Sequence, residues 1–344
     1  MAPRLLTVVL NYKTPDMTLE SVAAALREMD GIDGEIVVVD NDSGDGSEEK
    51  LRAGIAAAGW DRDNRVRFIQ SGVNGGFGAG NNVGIRAGLS DGSKPDYAYI
   101  LNSDAFPDPG AIRTLLDYLE ANPEVGFAGS YIHGDDGDPH VTLFRYPTIW
   151  SEFEGSISFG PVSKLLKNHI VPLDIPESGV AEVDWLAGAS MMMRQEVLDE
   201  IGLFDERFFL YFEETDLCRR AKLAGWPTHY VRASEVTHIG SVSTGLKTWS
   251  RTPRFWFDSR LYYFVKNHGV LYAGSATVLH LLGGGLRKLR GLVDRKARGG
   301  AYRFLSDLGL HALGAAFRGR AGPEPVAAQV RAEAPGQGQV QAQT

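Results

Sequence analysis

The sequence predicts an α/β protein: a mostly parallel sheet with helices on both faces, followed by a C-terminal helical extension. Three observations predict it. Short β-branched runs alternate with segments of helical period through the first 130 or so residues. Several of these runs stop at or just before a polar residue, Asn11, Asp40 and Asp104, and in such a sheet the strand ends open onto one crevice. The last third changes character. Residues 247–320 hold fourteen Lys and Arg against three Asp (Asp258, Asp294 and Asp307), although the whole chain carries a net charge of −8.

Residues 5–10 form the first strand, and 18–28 have helical spacing after a Thr-Pro turn. The run EIVVVD at 35–40 is a second strand, 47–58 a helix, 65–70 a strand and 80–89 a helix. Residues 97–101 give the next strand, 110–121 a helix and 125–129 a further strand. From 133 to 179 the pattern loosens into an aromatic-containing, loop-rich segment. Order returns in the apolar run 183–193 and a helix at 195–201. Residues 213–224 then have helical period, with Arg219, Arg220 and Lys222 towards the carboxyl end and Gly225-Trp226-Pro227 as the stop. Residues 228–232 close the sheet, and His238 follows.

With 344 residues, 43% hydrophobic and 23% charged, the chain has an ordinary globular composition and enough length for a large core. Cys218 is its single cysteine, which excludes an internal disulfide and fits a reducing compartment. Residues 5–10 run into Asn11-Tyr12-Lys13 with no small-residue cleavage site, so they read as a strand and not as a signal peptide. Residues 269–286 are uncharged but contain His280 and five glycines, and Arg287, Lys288 and Arg290 follow. That pattern fits a surface-lying or packed helix better than a spanning one, and the basic excess fits contact with an anionic membrane. The expected location is cytoplasmic, peripheral at the inner face of the cell membrane. No nucleic-acid partner is expected. Residues 246–320 form the basic extension, and 321–344, rich in Ala, Gln, Gly and Pro, are expected to be disordered.

Two acidic clusters carry the chemistry. Asn102-Ser103-Asp104 ends an apolar run. It can hold a hard cation beside a diphosphate, or it can be a turn before Pro107 and Pro109. Glu213, Glu214 and Asp216 stand within four residues, after Phe208, Phe209, Tyr211 and Phe212. Crowded carboxylates in apolar surroundings suit a general base, whereas acidic residues at a helix start are also what the dipole favours. The loop at 40–47 suits contacts to a base or ribose, with Ser47 as a helix cap in the plainer reading. The glycine-rich loop at 74–82 lacks the third glycine of a dinucleotide fingerprint, where Asn81 stands, and taken alone it reads as a flexible turn. His238 is a lone imidazole that can complete a site begun by Asp104.

Taken in order, Val8-Val9-Leu10-Asn11-Tyr12, Val37-Val38-Val39-Asp40-Asn41, Asn74-Gly75-Gly76-Phe77 with Asn81, Leu101-Asn102-Ser103-Asp104, Trp185-Leu186-Ala187-Gly188-Ala189, Gly202-Leu203-Phe204-Asp205-Glu206-Arg207-Phe208-Phe209 and Phe212-Glu213-Glu214-Thr215-Asp216-Leu217-Cys218-Arg219-Arg220 resemble family 2 of the glycosyltransferases. The likeness is greatest to bacterial rhamnosyltransferase-type members and covers residues 5–245. It implies a GT-A fold over 1–245, with nucleotide-sugar binding in 1–130 and the acceptor side and base in 180–245. It implies inversion at the anomeric carbon and a divalent cation, Mg²⁺ or Mn²⁺. By this resemblance Asp40 contacts the nucleoside base, and Asn11, Tyr12, Asn74, Asn81, Asn102, Ser103 and Asp104 line the donor. Asp104 and His238 hold the metal, with Asn102 where many members have a first Asp. Glu214, or its neighbour Glu213, is the base, with Asp216 in the same group. Trp185 and Gly188 line the acceptor side. The implied partners are a dTDP- or UDP-sugar and a glycan or lipid-linked acceptor. A sugar nucleotidyltransferase and a non-catalytic carbohydrate-binding protein are the competing readings. The oligomeric state is open.

Overall fold

The structure, a computed structural model, describes residues 2–240, 250–293 and 303–318. The first half alternates β1 (Leu5–Asn11), α1 (Pro15–Glu28), β2 (Gly34–Asp40), α2 (Ser47–Ala57), β3 (Val66–Gln70), α3 (Phe77–Ala87), β4 (Tyr97–Asn102), β5 (Ala105–Pro107), α4 (Ala111–Ala121) and β6 (Phe127–His133). After it come β7 (Pro139–His140), β8 (Leu143–Phe144), α5 (Ile149–Ile157), α6 (Gly160–Leu165), β9 (Val180–Val183), β10 (Trp185–Leu186), β11 (Ser190–Arg194), α7 (Gln195–Ile201), α8 (Glu213–Leu223) and β12 (Thr228–His238). Three helices follow: α9 (Arg254–His268), α10 (Val270–Val293) and α11 (Phe304–Arg318).

The main sheet runs β3-β2-β1-β4-β11-β6-β12-β5. β3, β2, β1 and β4 are parallel, as the alternating pattern predicts. β11 then enters antiparallel between β4 and β6, so the whole sheet is mixed. β1 and β2 read LLTVVLN and GEIVVVD, with all but one residue buried. A strand covered on both faces needs such continuous apolar runs. One core lies between the sheet and α1 and α4, and a second lies on the other face under α3, α7 and α8.

Three boundaries depart from the sequence reading for local reasons. α1 starts at Pro15, whose fixed φ suits a first helical turn. α5 lies inside the predicted loop. Its capping box pairs Thr148 with Ser151, and a search for Glu or Gln at that position passes over it. β12 runs on to His238 because a bulge between Val231 and Glu235 restarts the pairing with β6 beyond Arg232.

A third cluster, Phe208, Tyr262, Tyr263, Phe264, Ala273 and Ala276, joins α9 and α10 to the segment before α8. The segment expected to be a surface-lying or packed helix is α10, seated on α5: a Cβ on Gly283 would come within 2.2 Å of Ser156 Oγ. Among the described residues no helix is long and apolar enough to cross a membrane. The expected disorder of 321–344 lies outside the described residues.

Candidate active site

The parallel strands deliver their ends in register: Asn11 pairs with Asp40, Asp40 with Gln70, and Leu10 with Asn102. A polar network crosses them. Asn11 Nδ2 donates to Asp40 Oδ1 at 2.6 Å, and Ser43 Oγ donates to the same oxygen at 2.6 Å. Gln70 Nε2 and the Ser43 N–H donate to Asp40 Oδ2 at 2.9 and 3.1 Å. Thr18 Oγ1 donates to Asn11 Oδ1 at 2.8 Å. Buried polar groups must be met in this way. Tyr12 and Ser103 flank the network, with Ser103 Oγ 3.1 Å from Thr14 Oγ1. Ser43 was read only as part of the 40–47 loop, and Gln70 was not read as a site residue. Gln70 ends β3 as Asp40 ends β2, so the strand-end rule applied once more would have found it.

The glycine-rich loop is held, contrary to its reading as a plain flexible turn. Gly76 has φ 88°, and a Cβ there would lie 1.8 Å from the Phe209 carbonyl oxygen. The Phe77 N–H donates to that carbonyl at 3.0 Å. Asn74 Oδ1 accepts from the Gly76 N–H and from Asn41 Nδ2. The loop is thereby tied to both the Asp40 end of β2 and the segment leading into α8. Asn81, read as a donor contact, is buried within α3, and its amide donates to the Phe77 carbonyl at 3.0 Å. It stabilises the first turn. Its neighbour Asn82 latches α3 to the 204–206 segment, donating to Phe204 O and Glu206 Oε1 and accepting the Phe204 N–H.

Asp104 and His238 meet although 134 residues separate them: His238 Nε2 lies 3.0 Å from Asp104 Oδ1 and 3.3 Å from Asn102 Nδ2. Asp104 is buried and also receives the Ile239 N–H at its carbonyl. An imidazole nitrogen beside a carboxylate oxygen is a donor pair that Mn²⁺ or Mg²⁺ accepts, with phosphate oxygens free to complete the shell. The residues therefore fit a divalent cation.

The second acidic cluster opens α8. Tyr211 and Phe212 both sit at φ 71°, a left-handed conformation that bulky side chains rarely adopt, and they turn the chain so that Glu213 and Glu214 start the helix. Glu213 is buried, and its Oε2 has no hydrogen-bond partner. Burial pushes its carboxyl well above the ordinary glutamate range, and the adjacent Glu214 adds to the rise. Glu214, half-buried, is also raised by burial, while the N–H groups around it pull the other way. Glu214 Oε1 accepts the Gly188 N–H at 3.1 Å. Next in the chain, the Ala189 carbonyl accepts the Asn102 N–H at 3.1 Å. Asn102, Ala189, Gly188 and Glu214 thus form one bonded path from the Asp104 side to the carboxylates. A Cβ on Gly188 would come 2.7 Å from the Phe77 ring and 2.8 Å from Glu214 Oε1, so only glycine fits there. Trp185 stacks on Phe144 at 4.1 Å and donates from Nε1 to the Arg145 carbonyl, a fixed aromatic wall on that side.

Asp216, read as part of the catalytic group, has a structural role. Two residues along a helix from Glu214, it faces elsewhere. Its Oδ2 accepts from Arg220 at 2.9 Å and Lys266 at 2.8 Å, and its Oδ1 from Asn267 at 3.2 Å, which ties α8 to α9. A separate group, Asp108, His133 and Glu235, places ligand atoms within 4.8 Å of one another. His133 Nε2 lies 2.9 Å from Asp108 Oδ2 and its Nδ1 lies 2.8 Å from the Gly134 carbonyl, while Glu235 takes Arg232. Burial would lower the His133 pKa, but Asp108 and the Gly134 carbonyl raise it overall, as expected of an imidazolium facing two acceptors.

Residues 3–259 match the model of a family described as glycosyltransferase-like family 2. An N-acetylglucosaminyl-diphospho-decaprenol L-rhamnosyltransferase of Mycobacterium tuberculosis is 29% identical over 255 residues, 70% of this chain and 78% of that protein. Rhamnosyltransferase WbbL of Escherichia coli is 31% identical over 175 residues, 50% of this chain and 63% of its own length. Among solved structures, a mannosyltransferase from Pyrobaculum calidifontis, in complex with GDP-Man and Mn²⁺, superposes with a TM-score of 0.53 over 93% of this chain and 81% of that one, at 16% identity. The strand-end crevice, the acidic helix start and these likenesses agree: the chain belongs to the glycosyltransferase-like family 2 and is a rhamnosyltransferase-like glycosyltransferase of GT-A fold.

Proposed function

We propose that the protein transfers rhamnose from dTDP-rhamnose, with inversion at the anomeric carbon, to a glycan or lipid-linked acceptor of cell-envelope polysaccharide at the inner face of the membrane. We take residues 1–245 as the catalytic unit and 246–320 as a helical extension that packs on it. The observation that carries the reading is the bonded path Asn102, Ala189, Gly188, Glu214, because it supports a single crevice with a diphosphate side and a base side.

Asp40, with Asn11 and Gln70 behind it, receives the nucleoside base. The diphosphate lies towards Asn102 and Asp104, and the sugar sits between Gly188 and the carboxylates. Asp104 and His238 would hold a divalent cation, which when bound neutralises charge on the leaving diphosphate. Gly188 fixes Glu214 Oε1, leaving Oε2 to take the proton of an acceptor hydroxyl. The acceptor oxygen forms its bond to the anomeric carbon on one face as the bond to the diphosphate oxygen breaks on the other. The electron pair leaves with the diphosphate, and the proton remains on Glu214 until it passes to water. A carboxylate raised by burial holds that proton better than an exposed one.

The test is release of nucleoside diphosphate from a panel of dTDP-, UDP- and GDP-sugars with and without Mg²⁺ or Mn²⁺. Metal-dependent release of dTDP from dTDP-rhamnose is expected. Formation of nucleoside triphosphate and sugar 1-phosphate when pyrophosphate is added to the same panel would instead make the protein a nucleotidyltransferase, and donor binding with neither reaction would make it a binding protein.

A further inference from the structure

We propose that the outward face of α10 and α11 seats the protein on an anionic membrane surface without spanning it. This goes beyond sugar transfer and stands on separate observations. The inner side of α10 is fixed: Gly283 lies against Ser156 and Phe153, Gly284 meets Leu305 of α11, and Ala273 and Ala276 are buried. The opposite side carries Leu271, Val278, Leu282 and Leu289, spaced seven, four and seven residues apart and therefore in one stripe. These are 89%, 62%, 51% and 62% exposed. α11 repeats the pattern with Leu310, Leu313 and Phe317, the last 90% exposed. Apolar residues aligned this way on two adjoining helices are not the scattered exposure of an ordinary surface.

Charge selects the occupant. The sequence from Val270 to Val293 contains no carboxylate; Lys288 is exposed beside the stripe, and Arg287 and Arg290, at the border with α5, donate to Ser158 and Ile157 and add their positive charge. α11 has one carboxylate, Asp307, and Arg251 holds it with two contacts of 2.6 Å. A leucine stripe bordered by cations and free of unpaired anions matches the headgroup and acyl boundary of an anionic bilayer. The seat is also rigidly connected to the acceptor side of the crevice. The buried Arg260 donates to Glu152 of α5 at 2.8 Å, and His280 of α10 lies 2.6 Å from the same Glu152 oxygen. α5 follows directly from β8, where Phe144 stacks on Trp185. A lipid-linked acceptor would reach the crevice from the plane in which α10 lies.

The test uses the full chain and sedimentation with vesicles of phosphatidylglycerol and phosphatidylethanolamine, with phosphatidylcholine vesicles as control. Wild type should bind the anionic vesicles and lose most of that binding in high salt. The double variant Leu282→Gln/Leu289→Gln should bind roughly tenfold or more weakly, since each change removes a side chain's worth of apolar contact. A second double variant, Leu313→Gln/Phe317→Gln, should do the same from α11. Both should release nucleoside diphosphate from donor in water at the wild-type rate and melt at the wild-type temperature. Failure of wild type to bind anionic vesicles, or undiminished binding by both variants, overturns the proposal. A wild-type dimer that either variant converts to a monomer, with no vesicle binding, assigns the face to a second copy instead. Loss of sugar transfer with vesicle binding intact would count against the proposed function and leave this inference standing.

Discussion

In the function proposed above, the donor and acceptor sides of the crevice are built on opposite principles. On the donor side Asp40 receives four hydrogen bonds from Asn11, Ser43 and Gln70, so its charge is compensated before any ligand arrives. On the acceptor side Glu213 is buried with an unpartnered oxygen, its neighbour Glu214 is raised as well, and the two residues before them are held at positive φ. The satisfied half can bind without rearranging. The unsatisfied half holds carboxylates that gain by taking a proton. On that proposal binding and reactivity are separated in the fold, and each can be disturbed alone.

The largest test of that separation is Glu214→Gln. It should lower turnover about 10²-fold or more while the donor dissociation constant, measured by calorimetry, stays within a few-fold. Equal loss of both would erase the contrast. Next comes Asp216→Ala, which removes the buried partner of Lys266 and Arg220. It should cost about 3 kcal/mol in denaturant unfolding, the lower end for breaking a buried pair, because both cations can reach water. An inactive but fully stable Asp216→Ala protein would return Asp216 to the catalytic group.

Glu213→Gln sharpens the contrast through pH. A carboxyl whose folded pKa is raised binds more protons folded than unfolded, so its contribution to stability falls as pH rises above the ordinary glutamate value near 4.3. The melting temperature of Glu213→Gln should therefore decline less with rising pH than that of wild type, while turnover survives. The smallest effect is at His133, whose pKa is raised. Its contribution is fully present below the unfolded value near 6.5 and fades as pH climbs through the folded one. Asp108→Asn should flatten that dependence by a slight but measurable shift in melting temperature.

Much of this was legible in the chain because strand ends are written locally. Asn11, Asp40 and Asn102-Ser103-Asp104 each close an apolar run, and the parallel sheet carries those ends to one edge. His238 could be set beside Asp104 because it follows the acidic cluster and the closing strand; in the structure it ends β12 and pairs with Ala105, the residue after Asp104. What the residues did not show depends on partners distant in sequence. The antiparallel entry of β11 looks like any apolar run. The Asn82 latch spans more than a hundred residues, and only the position of Lys266 reveals that Asp216 is a tie between helices. Gly188 was read as lining the acceptor, but its necessity comes from the Phe77 ring and Glu214 closing on it from two other elements.

The paired left-handed aromatics at Tyr211 and Phe212 have a consequence for laboratory evolution. Backbone in that region costs about 1–3 kcal/mol per residue, which glycine would largely relieve. A selection for heat resistance alone should therefore be drawn to Tyr211 and not to Phe212, whose ring packs against Trp256 and Tyr263 and would lose more on truncation than the backbone would gain. Variants at Tyr211 would also lose the aim of the helix that begins with Glu213, so gains in endurance at this corner would be bought with lost turnover.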